Sequence, residues 1–255
     1  MARTRLDVML VERGLAESRA QAQALVMAGL VPGFTKPGQL VRPDVEITIE
    51  HPPPFVSRGG QKLERGLDVF GVDPAGRDCL DIGASTGGFS DCLLQRGAAR
   101  VIALDVGYGQ LHPKLRDDPR VTVLERTNVR HLETLPFAPS LVVCDVSFIS
   151  LRLALPPALR LAEAGWEALA LVKPQFESRV ADVKKGVVRD AGVHRRVLAD
   201  FCAAAIGWRA AVRGIVDSAL PGPKGNREFV VHLVESETPT DATQLNSWID
   251  DAVGR

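Results

Sequence analysis

The run Leu80-Asp81-Ile82-Gly83-Ala84-Ser85-Thr86-Gly87-Gly88-Phe89-Ser90 decides how this chain is built. An apolar segment ends beside an acid and a loop of small residues follows. Phe89-Ser90-Asp91-Cys92-Leu93-Leu94-Gln95-Arg96 then takes helical spacing. Glycines at a strand-to-helix turn let the backbone come close to a ligand, and the helix start behind them offers free N–H groups. Phe89 follows Gly88 where a phosphate-binding P-loop would need lysine, so an ATPase is disfavoured. Ser85 stands two positions after Gly83, where a G-x-G-x-x-G dinucleotide loop would have glycine, which weakens NAD.

Two acids frame the loop. Asp81 leads into it, and Asp105 ends the next strand-like run, Arg100-Val101-Ile102-Ala103-Leu104. The first suits a cationic amino group, the second a ribose diol. S-adenosylmethionine has both an amino-acid end and a ribose, and it is the expected cofactor.

Working outward, strand-like segments at 78–83, 100–106, 121–125, 140–146, 168–173, 209–217 and 228–235 alternate with helical ones at 59–70, 87–96, 150–164 and 191–206. This alternation predicts an α/β fold with a largely parallel sheet covered on both faces. Only the turn-rich Ala219–Asn226 separates the last two strands, too little for a crossover helix, so they should form an antiparallel hairpin at the edge. Before residue 50 the spacing predicts two short amphipathic helices, the second capped at Ser18, and a half-buried strand in which Val45, Ile47 and Ile49 alternate with polar residues. His51-Pro52-Pro53-Pro54 is a stiff spacer. The expected division is a small α+β domain at 1–50, a linker at 51–57, the α/β domain at 58–236 and a polar tail at 237–255 with a short helix around 245–253.

At 255 residues, 45% hydrophobic and with zero formal net charge, the chain can bury a full core but has no global field that would draw in a nucleic acid. Any RNA contact must come from local patches. Cys79, Cys92, Cys144 and Cys202 show no C-x-x-C spacing and read as buried thiols of a reducing compartment. The five histidines, including His51, show no metal spacing and read as surface or packing residues, so no metal site is expected. No signal-type or spanning apolar run is evident, which predicts a cytoplasmic protein without a membrane partner.

Four polar residues stand out by position. Asp145 and Lys173 end strand runs, where the ligand crevice of an open α/β sheet lies. Lys62 lies on the helix before the first strand of the large domain, and Glu228 opens the last strand. Such a set has a chemical purpose beside a methyl donor, because a ribose 2′-hydroxyl is a poor nucleophile at neutral pH and needs a base. A free lysine amine, with a reference pKa near ~10.4, is almost wholly protonated at pH 7; burial and a second cation work against that charge, while carboxylates orient it. Lys173 is the expected proton acceptor.

These motifs together resemble a known family. Val56–Glu64, Leu80–Phe89, Glu125–Arg130, Cys144–Ser150, Leu171–Glu177 and Gly186–Asp190 are similar to the TlyA family, also labelled haemolysin A, in which an S4-type RNA-binding domain precedes an FtsJ-like methyltransferase domain. The resemblance covers nearly the whole chain to about residue 236. It implies a Rossmann-like methyltransferase sheet, mostly parallel with its last strand antiparallel, and a small S4-like lobe shortened after Gly29. The implied activity is 2′-O-methylation of cytidine in ribosomal RNA, with rRNA or ribosomal subunits as partner.

The resemblance also implies site residues. The family's Lys-Asp-Lys-Glu tetrad falls on Lys62, Asp145, Lys173 and Glu228, and its cofactor loop on Gly83, Ser85, Thr86, Gly87, Gly88 and Phe89. Asp81, Asp105 and Asp145 join the cofactor set, with Asn128 on the adenine side. Candidate RNA contacts are Arg3, Arg5, Arg19 and Lys36 in the first lobe and Arg58, Lys184, Lys185 and Arg189 beside the cleft. Aromatics make up 5% of the chain, which favours shape and phosphate recognition of structured RNA over stacking platforms. A non-catalytic assembly factor and a membrane-active haemolysin are the alternatives.

Overall fold

The computed structural model describes residues 3–27, 29–49 and 54–254. Residues 51–53 of the expected linker, with His51, lie outside the described residues. The chain divides into two compact units, 1–53 and 54–255.

In the first unit, strand β1 (Thr4–Arg5) runs into helix α1 (Leu6–Glu12), followed by helix α2 (Arg19–Met27) and strand β2 (Leu40–Val41), which pairs antiparallel with β1. Leu6, Met9 and Leu10 of α1 meet Ala22 and Val26 of α2 in a small core, and Ser18 accepts a hydrogen bond from Gln21 N at the start of α2. The alternation of Val45, Ile47 and Ile49 is real as half-burial against this core. The expected strand there is not formed: 45–49 has no ladder partner among the described residues, and the Arg13 guanidinium takes the Pro43 and Val45 carbonyls instead.

The second unit contains helix α3 (Gly59–Phe70), strand β3 (Asp78–Ile82), helix α4 (Gly88–Gln95), strand β4 (Arg100–Leu104), the short helix α5 (Pro113–Arg116), strands β5 (Val121–Leu124) and β6 (Leu141–Cys144), helix α6 (Leu151–Leu159), strand β7 (Glu167–Val172), the one-turn helix α7 (Pro174–Glu177), helix α8 (Ala191–Ile206), strands β8 (Ala210–Asp217) and β9 (Phe229–Glu235) and helix α9 (Ala242–Val253). The seven strands order as β5-β4-β3-β6-β7-β9-β8, parallel except for β9, which is antiparallel to both neighbours. Apolar layers cover both faces, with α6, α8 and α9 contributing to one and α3 and α4 to the other. The polar tail therefore ends in a docked helix, which buries Ile249, Ala252 and Val253.

Two features of this topology position the site. Strand order reverses between β3 and β6, so the glycine loop after β3 opens at the switch point where α/β sheets bind ligands. Because β9 runs antiparallel, its first residues sit at the carboxyl edge of the parallel strands: Phe229 pairs with Val172, which places Glu228 beside the end of β7.

Candidate active site

A cavity of about 760 Å³ opens at this edge, and all four tetrad residues line it. Lys62 sits in the first turn of α3, and Gly66 lies one turn on along the same face. A Cβ at Gly66 would stand 2.8 Å from Val230, so this glycine lets α3 approach β9 and brings Lys62 to Glu228. Lys62 Nζ lies 2.5 Å from Glu228 Oε2, and both side chains are buried. Glu228 Oε1 has no protein partner and is walled by Gly222, where a Cβ would fall 2.0 Å away.

The second pair comes from adjacent strands. Asp145 follows β6 and Lys173 follows β7, with Lys173 Nζ 2.5 Å from Asp145 Oδ1 and donating to Ser147 Oγ at 3.1 Å. The Asp145 contact is coulombic, since its angle is not that of a hydrogen bond. Two of the three directions around Nζ are thus taken, and the amine faces the cavity with the remaining one.

Gly83, Ser85, Thr86, Gly88 and Phe89 line the same cavity. Gly83 has φ +83°, and a Cβ there would lie 2.8 Å from the Asp145 carbonyl oxygen. Gly87 does not line the cavity; with φ +97° it starts α4 and packs on Leu115. Asp81 is fully buried, accepts from Ser90 N (2.9 Å) and Oγ (2.6 Å), and leaves Oδ1 without a partner. Burial, only partly offset by the Ser90 hydrogen bonds, pushes its carboxyl up to about 7. Asp105 accepts from Ser85 N (2.8 Å) and Gly107 N (2.7 Å) and lines a smaller recess that shares Ala84 and Ser85 with the main cavity. Asn128 is not among the lining residues; its carboxamide accepts from Arg130 N and caps a short 3₁₀ turn. The close glycines, the orphaned Asp81 oxygen and the Asp105 carboxylate fit a ligand with an ammonium at one end and a ribose diol at the other.

The cationic candidates separate. Arg58 lines the cavity, and Lys184, Lys185 and Arg189 are exposed in the loop that includes Gly186. In the first unit Arg5 and Arg19 both bind one buried carboxylate, Asp7, at 2.9 and 3.2 Å, and Gln23 donates to it as well. The Arg5 hydrogen bonds hold the Asp7 carboxyl well below the usual range. Arg3 and Lys36 are exposed.

Sequence reasoning missed Ser147, Phe148, Lys224 and Asn226, all in the cavity lining. Ser147 and Phe148 sit two and three residues beyond Asp145, so the motif was visible and their roles were not. Phe148 is 91% exposed at φ +66° and tilts against Phe176 with centroids 5.1 Å apart. Burial pushes the thiols of Cys79, Cys92 and Cys202 up to about 12, so none is poised as a nucleophile. Among the described residues no His, Cys, Asp or Glu cluster could hold a metal, and no helix is long and apolar enough to cross a membrane.

The sheet order, the glycine cradle at its switch point and the paired lysines and carboxylates around one cavity are those of a Rossmann-like methyltransferase. More specifically, the chain belongs to the FtsJ-like methyltransferase family, which it matches over residues 55–235, and residues 4–31 match the S4 domain. It is 45% identical over 264 residues to the 16S/23S rRNA (cytidine-2'-O)-methyltransferase TlyA of Mycobacterium tuberculosis, covering 99% of this chain and 97% of that protein. It is 38% identical to Hemolysin A of Brachyspira hyodysenteriae, covering 90% and 99% respectively. A solved structure described as a candidate hemolysin from Streptococcus thermophilus superposes with TM-score 0.76 at 40% identity, over 99% of this chain and 96% of that one.

Proposed function

We propose that this chain methylates the ribose 2′-hydroxyl of a cytidine in ribosomal RNA with S-adenosylmethionine as donor, in the cytoplasm. The observation that supports this most is the meeting of the Lys62–Glu228 and Lys173–Asp145 pairs at one cavity with the glycine cradle. Gly83 to Phe89, Asp81 and Asp105 would hold the cofactor, which when bound supplies an electrophilic methyl on a sulfonium. Lys173 receives the hydroxyl proton at Nζ, while Asp145 and Ser147 hold that nitrogen in place. Lys62, fixed by Glu228, offers a second cation beside the same wall. Phe148 presents a bare ring face at the mouth, where an unstacked base of the substrate can rest.

The test is transfer of labelled methyl from S-adenosylmethionine to purified small and large ribosomal subunits from a strain lacking this gene, with the product mapped by reverse-transcription stops at low dNTP. Incorporation at a discrete 2′-O position, lost in Lys173→Ala while cofactor binding persists, is the expected result. No incorporation into either subunit, with cofactor bound, would overturn the ribosomal assignment in favour of another RNA or of an assembly factor without catalysis. The name of the Brachyspira relative motivates a membrane-lytic reading, for which vesicle leakage by the purified protein is the deciding measurement.

A further inference from the structure

The loop between α7 and α8 contains a two-residue β-hairpin. Lys184 and Val187 exchange both backbone hydrogen bonds, at 3.0 Å each, across the corner Lys185-Gly186. Both corner residues have positive φ, +53° and +81°, as a type I′ turn requires. Asn, Asp or Gly takes that conformation cheaply at the first corner. Lysine does so at a cost, which makes Lys185 a strained residue at an exposed tip.

The base of the hairpin is pinned by two buried polar side chains. Asn226, 3% exposed, donates from Nδ2 to Gly186 O at 3.0 Å and accepts from Val188 N at 3.1 Å. His194, 2% exposed, holds Val188 O at 3.1 Å through Nε2, which must be the protonated nitrogen because a carbonyl only accepts. A third lysine approaches from the turn before β9: Lys224, itself at φ +59°, lies over Gly186, with Nζ 3.2 Å from where a Cβ would stand. Among the described residues none of Lys184, Lys185 and Lys224 has a carboxylate in ion-pair distance. Gly186, Lys224 and Asn226 all line the catalytic cavity.

We infer that Lys184, Lys185 and Lys224 form a preassembled clamp for an RNA backbone phosphate next to the target nucleotide, and that Asn226 and His194 are its positioning residues. The inference rests on the RNA-methyltransferase reading and adds to it the element that grips the strand at the cavity mouth. Buried hydrogen-bonding groups fix the tips of long cations in advance, so less side-chain and loop ordering opposes binding. Three separate lysines on mobile loops would not give that advantage.

The experiment is filter binding of full-length 16S and 23S rRNA transcripts to the full chain across a salt series, with cofactor affinity measured in parallel. Replacing the three lysines by Gln should flatten the salt slope by about two to three units, near 0.7–0.9 per lost phosphate contact. Asn226→Asp keeps the acceptor for Val188 N but turns a carboxylate oxygen on Gly186 O. It should weaken RNA binding about tenfold, yet by less than about twofold in the triple-Gln background, because it acts through those lysines. Lys185→Asn relieves the corner strain, so the melting temperature should hold or rise while RNA affinity falls. That outcome is the opposite of a structural role. Additive losses, an equal loss of cofactor affinity in Asn226→Asp, or unchanged RNA affinity in Lys185→Asn would each overturn the clamp. Methyl transfer that fails in the wild type while these binding differences persist would count against the enzymatic reading alone.

Discussion

Replacing Glu228 by Gln should destabilise the second unit far more than replacing Glu228 and Lys62 together. Lys62 Nζ and Glu228 Oε2 stand 2.5 Å apart, with side chains 9% and 0% exposed, so neither charge is hydrated when its partner goes. Breaking a buried pair from one side costs about 3–5 kcal/mol, whereas exchanging both members for neutral residues of similar size is often close to neutral. For a unit of this size each kcal/mol moves the midpoint by roughly 2–4 °C, so Glu228→Gln should melt about 6–20 °C lower. Lys62→Met should do the same, because it strands a carboxylate whose Oε1 already lacks a partner. The double variant Lys62→Met/Glu228→Gln should return to within about 1–2 kcal/mol of the parent, a coupling of at least ~2 kcal/mol. Tryptophan fluorescence reads this cleanly, since Trp166, Trp208 and Trp248 all lie in the second unit. Methyl transfer should be lost in all three variants, which separates what the pair does for catalysis from what it does for the fold. Additive single effects, or a Glu228→Gln variant within about 1 kcal/mol of the parent, would refute the claim that this pair is a desolvated charge pair.

Phe148→Ala should leave the melting temperature nearly unchanged, as expected of a 91% exposed ring, but should raise the KM for RNA by about 5- to 150-fold, the equivalent of one stacked base at ~1–3 kcal/mol; an unchanged KM would remove the stacking role. Asp7→Asn makes the first unit more positive by one charge, yet RNA binding in filter assays should weaken, because Arg5 and Arg19 lose the carboxylate that fixes them side by side; stronger binding would show that net charge alone matters. The depressed Asp7 carboxyl also contributes stability that is full above its unfolded value near ~4 and is lost as pH falls below it, so the unit should loosen on acidification and Asp7→Asn should lose that dependence. Asp81 has the opposite sign. Its folded value of about 7 lies above the unfolded ~3.9, so the folded state binds more protons between them and stability falls as pH rises through that window. A cationic ligand favours the charged carboxylate, so S-adenosylmethionine should bind with proton release near neutral pH, seen as a calorimetric enthalpy that varies with buffer ionisation heat; buffer-independent heats in the wild type would disconnect Asp81 from the cofactor.

What the sequence shows and what it hides follow from different physics. The strands of the large sheet lie within about two residues of their predicted spans because a sheet covered on both faces demands unbroken apolar runs, and those runs end where the chain leaves the core. The same ends disclose Asp145 and Lys173, and Glu228 becomes legible once the short turn before it forces β9 to run antiparallel. At Val45, Ile47 and Ile49 the reading fails for a definite reason: alternation reports one buried side, whereas a strand also needs a partner for its other hydrogen bonds, and Arg13 takes the carbonyls first. Charge is hidden in a similar way. Arg5 and Arg19 look like free cations in a balanced segment until folding buries Asp7 between them. Asp81, expected beside a ligand ammonium, turns one oxygen toward the first turn of α4, which nothing in its neighbours' identities announces. The residues that complete the cavity mouth are the least visible, because Phe148, Lys185 and Lys224 occupy a left-handed backbone region that non-glycine residues rarely adopt. Local propensity argues against each of those conformations, and only the packed loops around them enforce it. Strain that propensity would never choose, at three exposed positions around one cavity, therefore has to be maintained by the surrounding structure, and the buried Asn226 and His194 show where that support is built.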